Sequence, residues 1–170
     1  MSNDFSNPLI VFGEHKDGLE TIKRQCVRGI IFVDDKLVLE TSKFCDASFP
    51  GGGIEKGESH LNALKRELKE EIGFEIDEKT VKPFGRVDVF FKNAFKEGTE
   101  IQQINYFYYC AGNKKYIENL SKNEENLCTK TVYASIDEAI EINKKLIDKD
   151  YHWIARDLFV LKCLKQKGYQ

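Results

Sequence analysis

The chain has 170 residues, of which 41% are hydrophobic and 32% are charged, with a formal net charge of −2. This length fits one domain with a sizeable core, and the composition excludes a largely disordered protein. The near-neutral charge provides no general basic field for nucleic acid or an anionic membrane, although a local basic patch remains compatible with it. The longest apolar runs, such as residues 29–33, are too short to span a bilayer.

Residues 1–13 lack the basic and long apolar regions of a secretory signal, so no such signal is predicted. The five cysteines are scattered, odd in number and without a CxxC pair. Neither a disulfide framework nor a zinc site is therefore expected. A reducing, cytoplasmic environment is the prediction.

The N-terminal segments indicate strands. "LIVFGEH" and "LETIKR" are predicted to be short strands around a "KDG" turn. "CVRGIIFV" and "KLVLET" flank two aspartates, the pattern of a β-hairpin. Further along, "GRVDVFF" (85–91) alternates apolar residues, and "IQQINYFYYC" (101–110) is rich in aromatic and β-branched residues. Both are predicted strands, joined by a polar loop.

Two helices are predicted near the C-terminus. Ser135 and Glu138 have the spacing of a capping box, so one helix should begin at Ser135. The last helix, about residues 151–166, has an apolar stripe that is expected to pack on the sheet. The stripe consists of Trp153, Ile154, Leu158, Leu161 and Leu164. Strands, hairpins and helices together predict the α/β class, with a mixed sheet covered by helices.

The stretch "FPGGGIEKGESHLNALKRELKEEIGFEI" (49–76) contains a further predicted helix. Ser59 is a good N-cap, and Gly73 suits the left-handed residue that follows a helix. Between them an apolar stripe recurs at intervals of three, four and four. It consists of Leu61, Leu64, Leu68 and Ile72.

Three glutamates, Glu67, Glu70 and Glu71, fall within an arc of roughly 100° beside this stripe. Two effects disfavour this arrangement. The three carboxylates repel one another, and the helix dipole disfavours negative charge in the C-terminal turns. One interpretation is a solvated acidic face, neutralised by Lys65, Arg66 and Lys69. The other is a divalent-cation site, because Mg²⁺ prefers carboxylate oxygens and substrate phosphates. The glycines at 51–53 favour the second, since they let the backbone approach a ligand.

Gly52, Glu58 and "RELKEEIGF" (66–74) resemble the Nudix hydrolase signature, G-x5-E-x7-R-E-hydrophobic-x-E-E-x-G-hydrophobic. All its fixed positions are present, with Phe74 where a smaller aliphatic residue is commoner. The flanking "FPGG" and the later "YASIDEA", with Tyr133 where the family often has tryptophan, extend the resemblance over roughly residues 26–140. It implies an α/β/α sandwich formed by residues 1–170 as one domain, with a C-terminal helix in residues 145–170 packed on it.

The resemblance implies Mg²⁺- or Mn²⁺-dependent hydrolysis of a diphosphate bond in a nucleoside diphosphate linked to another moiety. Glu67 and Glu71 would be the principal metal ligands, Glu70 a further ligand or an orienting group, and the Gly51 carbonyl would complete the coordination. Four other signature positions would support the site: Gly52, Glu58, Arg66 and Gly73. Of these, Arg66 and Glu58 would brace it through ionic contacts.

The general base is left open by the resemblance, because members of the family use a glutamate inside the signature or in a later loop. Glu70 is the candidate within the signature. Among the later glutamates, Glu124 and Glu125 are favoured because they precede the strand that ends at Tyr133. Glu97 and Glu100, expected between two strands, are the alternatives.

Other functions and partners are kept as alternatives. The fold could serve a nucleotide-sensing module without turnover, although no signature glutamate is lost. An isomerase acting on an isoprenoid diphosphate would need a second His/Glu metal set, which three scattered histidines disfavour.

The markers of ADP-ribose, dinucleoside-polyphosphate, coenzyme A and NADH hydrolases are absent, so the substrate is not selected beyond a small nucleotide-type diphosphate. No nucleic-acid or membrane partner is predicted, and a homodimer remains an alternative to a monomer.

Overall fold

The computed structural model describes residues 5–149 and 151–169, so residues 1–4 of the stretch searched for a signal lie outside it. The strands are β1 Ile10–Phe12, β2 Glu20–Ile30, β3 Phe32–Val33, β4 Lys36–Thr41, β5 Phe74–Ile76, β6 Lys82–Lys92, β7 Thr99–Tyr109, β8 Gly112–Lys114 and β9 Lys130–Ala134. The helices are α1 His60–Ile72, α2 Lys122–Asn126, α3 Ile136–Lys144 and α4 His152–Gln166.

The strands form a mixed sheet of order β1-β6-β7-β2, a three-stranded sheet of order β3-β4-β9 and a small β5-β8 pair. In the mixed sheet β6 and β7 are antiparallel, whereas β1 and β2 each run parallel to their neighbour. One hydrophobic core lies beneath α1, and the other lies beneath α3 and α4. The predicted arrangement of a mixed sheet between helical layers is therefore confirmed.

The local signals of α1 are confirmed. Ser59 caps the helix by accepting a hydrogen bond from the Asn62 N–H, and Gly73 ends it with a φ of 70°. A Cβ atom at Gly73 would lie 2.2 Å from the Tyr116 carbonyl oxygen, so glycine is required there by contact as well as by conformation. The capping box of Ser135 and Glu138 is also present at the start of α3.

The predicted hairpin forms, since Val33 pairs with Lys36 across Asp34 and Asp35, which both have positive φ. Two other details differ from the prediction. "LETIKR" and the following residues form one strand, β2, because β7 pairs with it without interruption from Glu20 to Ile30. Glu100 belongs to β7 rather than to the preceding loop, because its backbone is paired within the sheet.

The apolar stripe of α4 is buried at Ile154, Leu158, Leu161 and Leu164, as predicted. Trp153 departs from this prediction: it is only half-buried and its indole N–H donates a 2.8 Å hydrogen bond to Asp46 Oδ2. The first turn of α4 therefore borders a polar cavity instead of the core. Along the described part of the chain, no helix has the length and apolar character needed to cross a membrane.

Candidate active site

A cavity of about 480 Å³ lies between the glycine-rich loop, α1, β4, α2 and the start of α4. Its walls combine acidic and basic side chains. The acidic ones are Glu40, Asp46, Glu67, Glu71 and Glu124, and the basic ones include Arg24, Arg28 and Arg156. The backbone of residues 51–53 forms part of the same wall. Polar groups thus converge where the sequence predicted a metal and diphosphate site.

The glycine-rich loop is shaped by close contacts with its surroundings. Gly51 has a φ of 131°, and a Cβ atom there would lie 2.2 Å from the Val27 carbonyl oxygen. At Gly52 a Cβ atom would lie 2.5 Å from a carboxylate oxygen of Glu67. Gly51 is therefore required for the loop to lie against β2, whereas a side chain at position 52 would displace the Glu67 carboxylate.

Arg66 connects α1 to the loop. Its guanidinium makes a two-point ion pair with Glu58, through contacts of 2.9 and 2.8 Å, and donates to the Gly53 carbonyl at 2.9 Å. It also donates to Glu67 Oε1 at 2.7 Å and lies 3.7 Å from Glu70 Oε2, the pair predicted from the helical spacing. These contacts hold the Glu67 carboxylate next to the loop.

Glu67 and Glu71 are the buried carboxylates of α1. Glu71 Oε2 accepts a 2.5 Å hydrogen bond from the Gly51 N–H. Burial raises the pKa of Glu71 to about 7, against the opposing effects of Arg28 and of that N–H. Burial likewise raises the pKa of Glu67, although Arg66 opposes the change. Loss of solvation therefore makes negative charge unfavourable here unless a cation is present.

Glu40, at the end of β4, contributes a third buried carboxylate, and the residue is 8% exposed. Its pKa is raised by burial and by the Glu71 carboxyl group. Within the described residues, two buried side-chain polar atoms lack a hydrogen-bond partner, Glu40 Oε1 and Arg28 Nε. Both residues line this cavity. Buried polar atoms are usually paired, so unpartnered atoms of both signs in one cavity indicate a place for a polar ligand.

A further wall of the cavity is formed by two aromatic side chains, Phe44 and Trp153. Trp153 and Tyr151 stack with ring centroids 5.0 Å apart and an interplanar angle of 6°. Phe44 lies 4.8 Å from the Tyr151 ring and 5.8 Å from the Trp153 ring. The hydrogen bond to Asp46 fixes the indole of Trp153 at this wall. A flat ring entering the cavity would therefore meet a flat apolar surface beside charged groups.

The structure brings together several of the residues that the sequence singled out: Gly51, Gly52, Glu67, Glu71 and Glu124 line the cavity. Glu70 and Glu125 are not among the lining residues, and the Glu70 side chain is 44% exposed beside Arg66. Glu124 and Glu125 are consecutive residues of the short helix α2, so their side chains point in different directions. Of the two, Glu124 lines the cavity. Glu100 lies apart from this cavity, where it contacts His15 and Thr21.

Sequence reasoning missed the cavity residues that lie outside the signature, in particular Arg28, Glu40, Asp46 and Arg156. The available signal for Glu40 was its position in "KLVLET", where it shares a strand face with the apolar Val38. His60 also had no predicted partner, and its Nδ1 lies 2.7 Å from the Tyr108 hydroxyl.

The residues present fit a Mg²⁺ or Mn²⁺ ion. Carboxylates with raised pKa values and an unpartnered buried oxygen are donors that a hard divalent cation prefers. Among the described residues, however, no three or more His, Cys, Asp or Glu side chains form a ready-made metal cage. Mg²⁺ commonly binds through one or two carboxylates and takes its other oxygens from water and substrate phosphates. The Gly51 carbonyl, predicted as a further ligand, accepts a hydrogen bond from Arg28.

Comparisons with solved structures support the fold. An ADP compounds hydrolase aligns with a TM-score of 0.57 and 19% identity, over 86% of this chain and 76% of that protein. A mutator MutT protein from Bacillus halodurans aligns with a TM-score of 0.53 and 21% identity, over 70% of this chain and 72% of the other.

Among characterised sequences, an RNA pyrophosphohydrolase from Campylobacter jejuni subsp. doylei is 80% identical over 25 residues. That match spans 15% of this chain and 16% of the relative, so it covers only a small part of either protein. The sequence profile of the NUDIX domain, by contrast, matches residues 23–156, which extends beyond the predicted region into the first turns of α4. The chain therefore belongs to the Nudix hydrolase family.

Proposed function

We propose that this protein hydrolyses a diphosphate bond in a nucleoside diphosphate linked to another moiety, with Mg²⁺ or Mn²⁺ as cofactor. The observation that carries this proposal is the convergence of Glu67, Glu71 and the glycine-rich loop with arginines in one cavity. Carboxylates alone would repel a diphosphate, and arginines alone would bind it without activating water. The combination supports cleavage in addition to binding.

Arg24 and Arg28 are the proposed contacts to the diphosphate. They lie four residues apart on β2, so both side chains project from the same face of that strand. A guanidinium can donate two hydrogen bonds to one phosphate group. Arg156 is less available, because Asp157 binds its Nε and Nη2 at 2.8 Å each. We assign Arg156 to holding the cavity wall in place.

In the proposed reaction, the oxygen of a water molecule forms a bond to one phosphorus while the bridging P–O bond breaks. Glu67 and Glu71 would hold the divalent cation, which supplies charge neutralisation for the phosphoryl oxygens and acidifies water. Glu124 would accept the proton from water, because it lines the cavity whereas Glu125 does not. Glu70 would act through Arg66, by keeping that guanidinium in place against Glu67.

The nucleobase would stack on the wall formed by Phe44 and Trp153, which both line the cavity. Aromatic residues of the two central strands, β6 and β7, are the alternative. Those residues are largely committed elsewhere: Phe107 is buried in the core, Tyr108 contacts His60, and Phe91 stacks on His152 at 3.7 Å. The wall beside Asp46, in contrast, borders the cavity directly.

The test is product release from a panel of diphosphate compounds with Mg²⁺, with Mn²⁺ and with chelator. The panel contains nucleoside triphosphates, nucleotide sugars, ADP-ribose, dinucleoside polyphosphates, NADH, coenzyme A and RNA with a 5′-triphosphate. Metal-dependent cleavage of one class, blocked by chelator, is the expected result and would name the substrate. Tight binding of a nucleotide with no cleavage under any of these conditions would contradict the proposal and favour a sensing module.

A further inference from the structure

We infer that Glu40 of β4 is a metal ligand outside the signature helix, and that it holds the divalent cation together with Glu71. This inference rests on the proposed function, because it concerns the same cation. It extends the metal site from the signature helix α1 to a second element, the strand β4.

The direction of the Glu40 side chain follows from strand geometry. Side chains two residues apart on a strand project from the same face. Val38, two residues before Glu40, packs in the core beneath α1 with Leu64, Leu68 and Ile72. Glu40 therefore extends that face one step further, towards the part of α1 that carries Glu71. Leu37 and Leu39 project to the other face and belong to the core beneath α3 and α4.

The position of Glu40 is also fixed by its backbone. Its N–H donates to the Ser48 carbonyl at 2.8 Å, and its carbonyl accepts from the Ser48 N–H at 2.9 Å. On the other side, β4 pairs with β9, where Glu40 faces Thr131. Because both edges of the strand are paired, the backbone cannot rotate to move this carboxylate into solvent.

The Glu40 carboxylate is only partly satisfied by the protein. Among the described residues, none donates a hydrogen bond to Glu40 Oε1. Arg28 is the nearby cation, but its Nη1 donates to the carbonyls of Phe49 and Gly51. Glu71 lines the same cavity and is as deeply buried as Glu40, so two carboxylates meet there with little solvent to screen them. A divalent ion between Glu40 and Glu71 would satisfy the unpartnered oxygen and remove the repulsion.

The alternative is a structural role, in which Glu40 only balances the charge of Arg28. The two roles predict different effects of Glu40→Gln, which keeps the shape of the side chain. If Glu40 is a metal ligand, its negative charge is unbalanced when the metal is removed, so Glu40→Gln should not lower the melting temperature of the metal-free protein. If Glu40 instead balances the charge of Arg28, Glu40→Gln should lower that temperature.

The experiment is a Mn²⁺ titration of the full-length, chelator-stripped protein, with free Mn²⁺ measured by electron paramagnetic resonance and melting temperature measured in parallel. Glu40→Gln should weaken Mn²⁺ binding by at least about tenfold, because each carboxylate lost from a site lowers its affinity for a divalent ion. Its metal-free melting temperature should equal or exceed that of the wild type. Glu100→Gln, which removes a buried strand carboxylate outside this cavity, is the matched control and should keep wild-type Mn²⁺ affinity.

Glu40→Asp is the second variant, in case Glu40→Gln fails to fold. It keeps the charge beside Arg28 but draws the carboxylate back by one methylene, so Mn²⁺ binding should again weaken. Wild-type Mn²⁺ affinity in the folded Glu40 variants, together with weakened binding in Glu71→Gln, would overturn this inference and leave the proposed function standing. Absence of Mn²⁺ binding in the wild type, or no effect of Glu71→Gln, would overturn the metal site of the proposed function itself.

Discussion

The Gly51 N–H donates a 2.5 Å hydrogen bond to Glu71 Oε2, so the glycine-rich loop and the last turn of α1 are joined directly. This contact places a backbone with positive φ against a carboxylate that the helix would otherwise expose at its C-terminal end. It also explains why the glycines and glutamates of this stretch occur together. The loop must approach closely enough to donate to the helix, and a side chain on the loop would prevent that.

Gly52→Ala should damage the site while leaving the fold intact. Its new Cβ would lie 2.5 Å from Glu67 Oε2, so the carboxylate would have to move. A displacement of about 1 Å can cost roughly 100-fold in rate, and we expect a loss of that order in kcat. Gly53→Ala is the matched control, because its Cβ would meet Arg24 Nη2 at an ordinary 3.6 Å. Equal kcat values for the two variants would contradict this explanation.

Glu67→Gln and Glu71→Gln should each lower kcat by about 100-fold or more, because the cation loses a charged ligand. Neither change should lower the melting temperature of the metal-free protein, since each removes a buried carboxylate that is hard to ionise. Steady-state kinetics with saturating Mg²⁺ and thermal denaturation in chelator provide the two measurements. Turnover at the wild-type rate in either variant would rule out its role as a principal metal ligand.

Glu124→Gln and Glu125→Gln should behave differently. Glu124 lines the cavity, so removing it as a base should reduce kcat by roughly 100- to 10,000-fold. Glu125 is exposed and outside the cavity lining, so its replacement should leave kcat within about twofold of the wild type. Equal kcat values for the two variants would require another general base.

Trp153 provides an internal probe of base binding, because it is the one tryptophan in the chain. A base that stacks on it should quench or shift its fluorescence when a substrate binds without metal. Because base stacking on an aromatic side chain is worth about 1–3 kcal/mol, Trp153→Ala should raise KM by roughly tenfold with a smaller change in kcat. Trp153→Phe should retain most of the affinity. Unchanged emission on binding of a confirmed nucleotide substrate would place the base elsewhere.

The contact between His15 and Glu100 should make stability depend on pH. The Glu100 carboxylate raises the pKa of His15, and the His15 contact lowers the pKa of Glu100. The contribution of Glu100 to the free energy of unfolding is present above its unfolded pKa of about 4.3. It is lost as pH falls through the lower pKa that Glu100 has in the folded protein. The His15 contribution is complete below its unfolded pKa of about 6.5 and is lost as pH rises through the higher folded value.

The difference in melting temperature between the wild type and His15→Gln should therefore be greatest between about pH 4.5 and 6.5. It should shrink at both lower and higher pH. Thermal denaturation in a series of buffers at constant ionic strength measures this difference. A difference that does not vary with pH would show that the ion pair contributes nothing measurable to stability.

The amino-acid sequence by itself determined the parts of this protein that depend on neighbouring residues. Ser59, the apolar stripe and Gly73 set the limits of α1 because capping and helical periodicity act over a few positions. Two aspartates between apolar runs likewise defined the β3–β4 turn. The spacing of the glutamates on α1 identified two cavity carboxylates, Glu67 and Glu71, for the same reason.

Only the tertiary structure decided which other side chains line the cavity together with Glu67 and Glu71. Glu40 and Arg28 lie on strands, where each side chain points to one face or the other, and only sheet packing decides which face meets α1. Trp153 and Arg156 reach the cavity because α4 packs against β6 and α3, which fixes where its first turns lie. The sequence placed Glu70 and Glu71 side by side, but burial separates them, since a rotation of 100° along the helix leaves one at the surface and turns the other into the cavity.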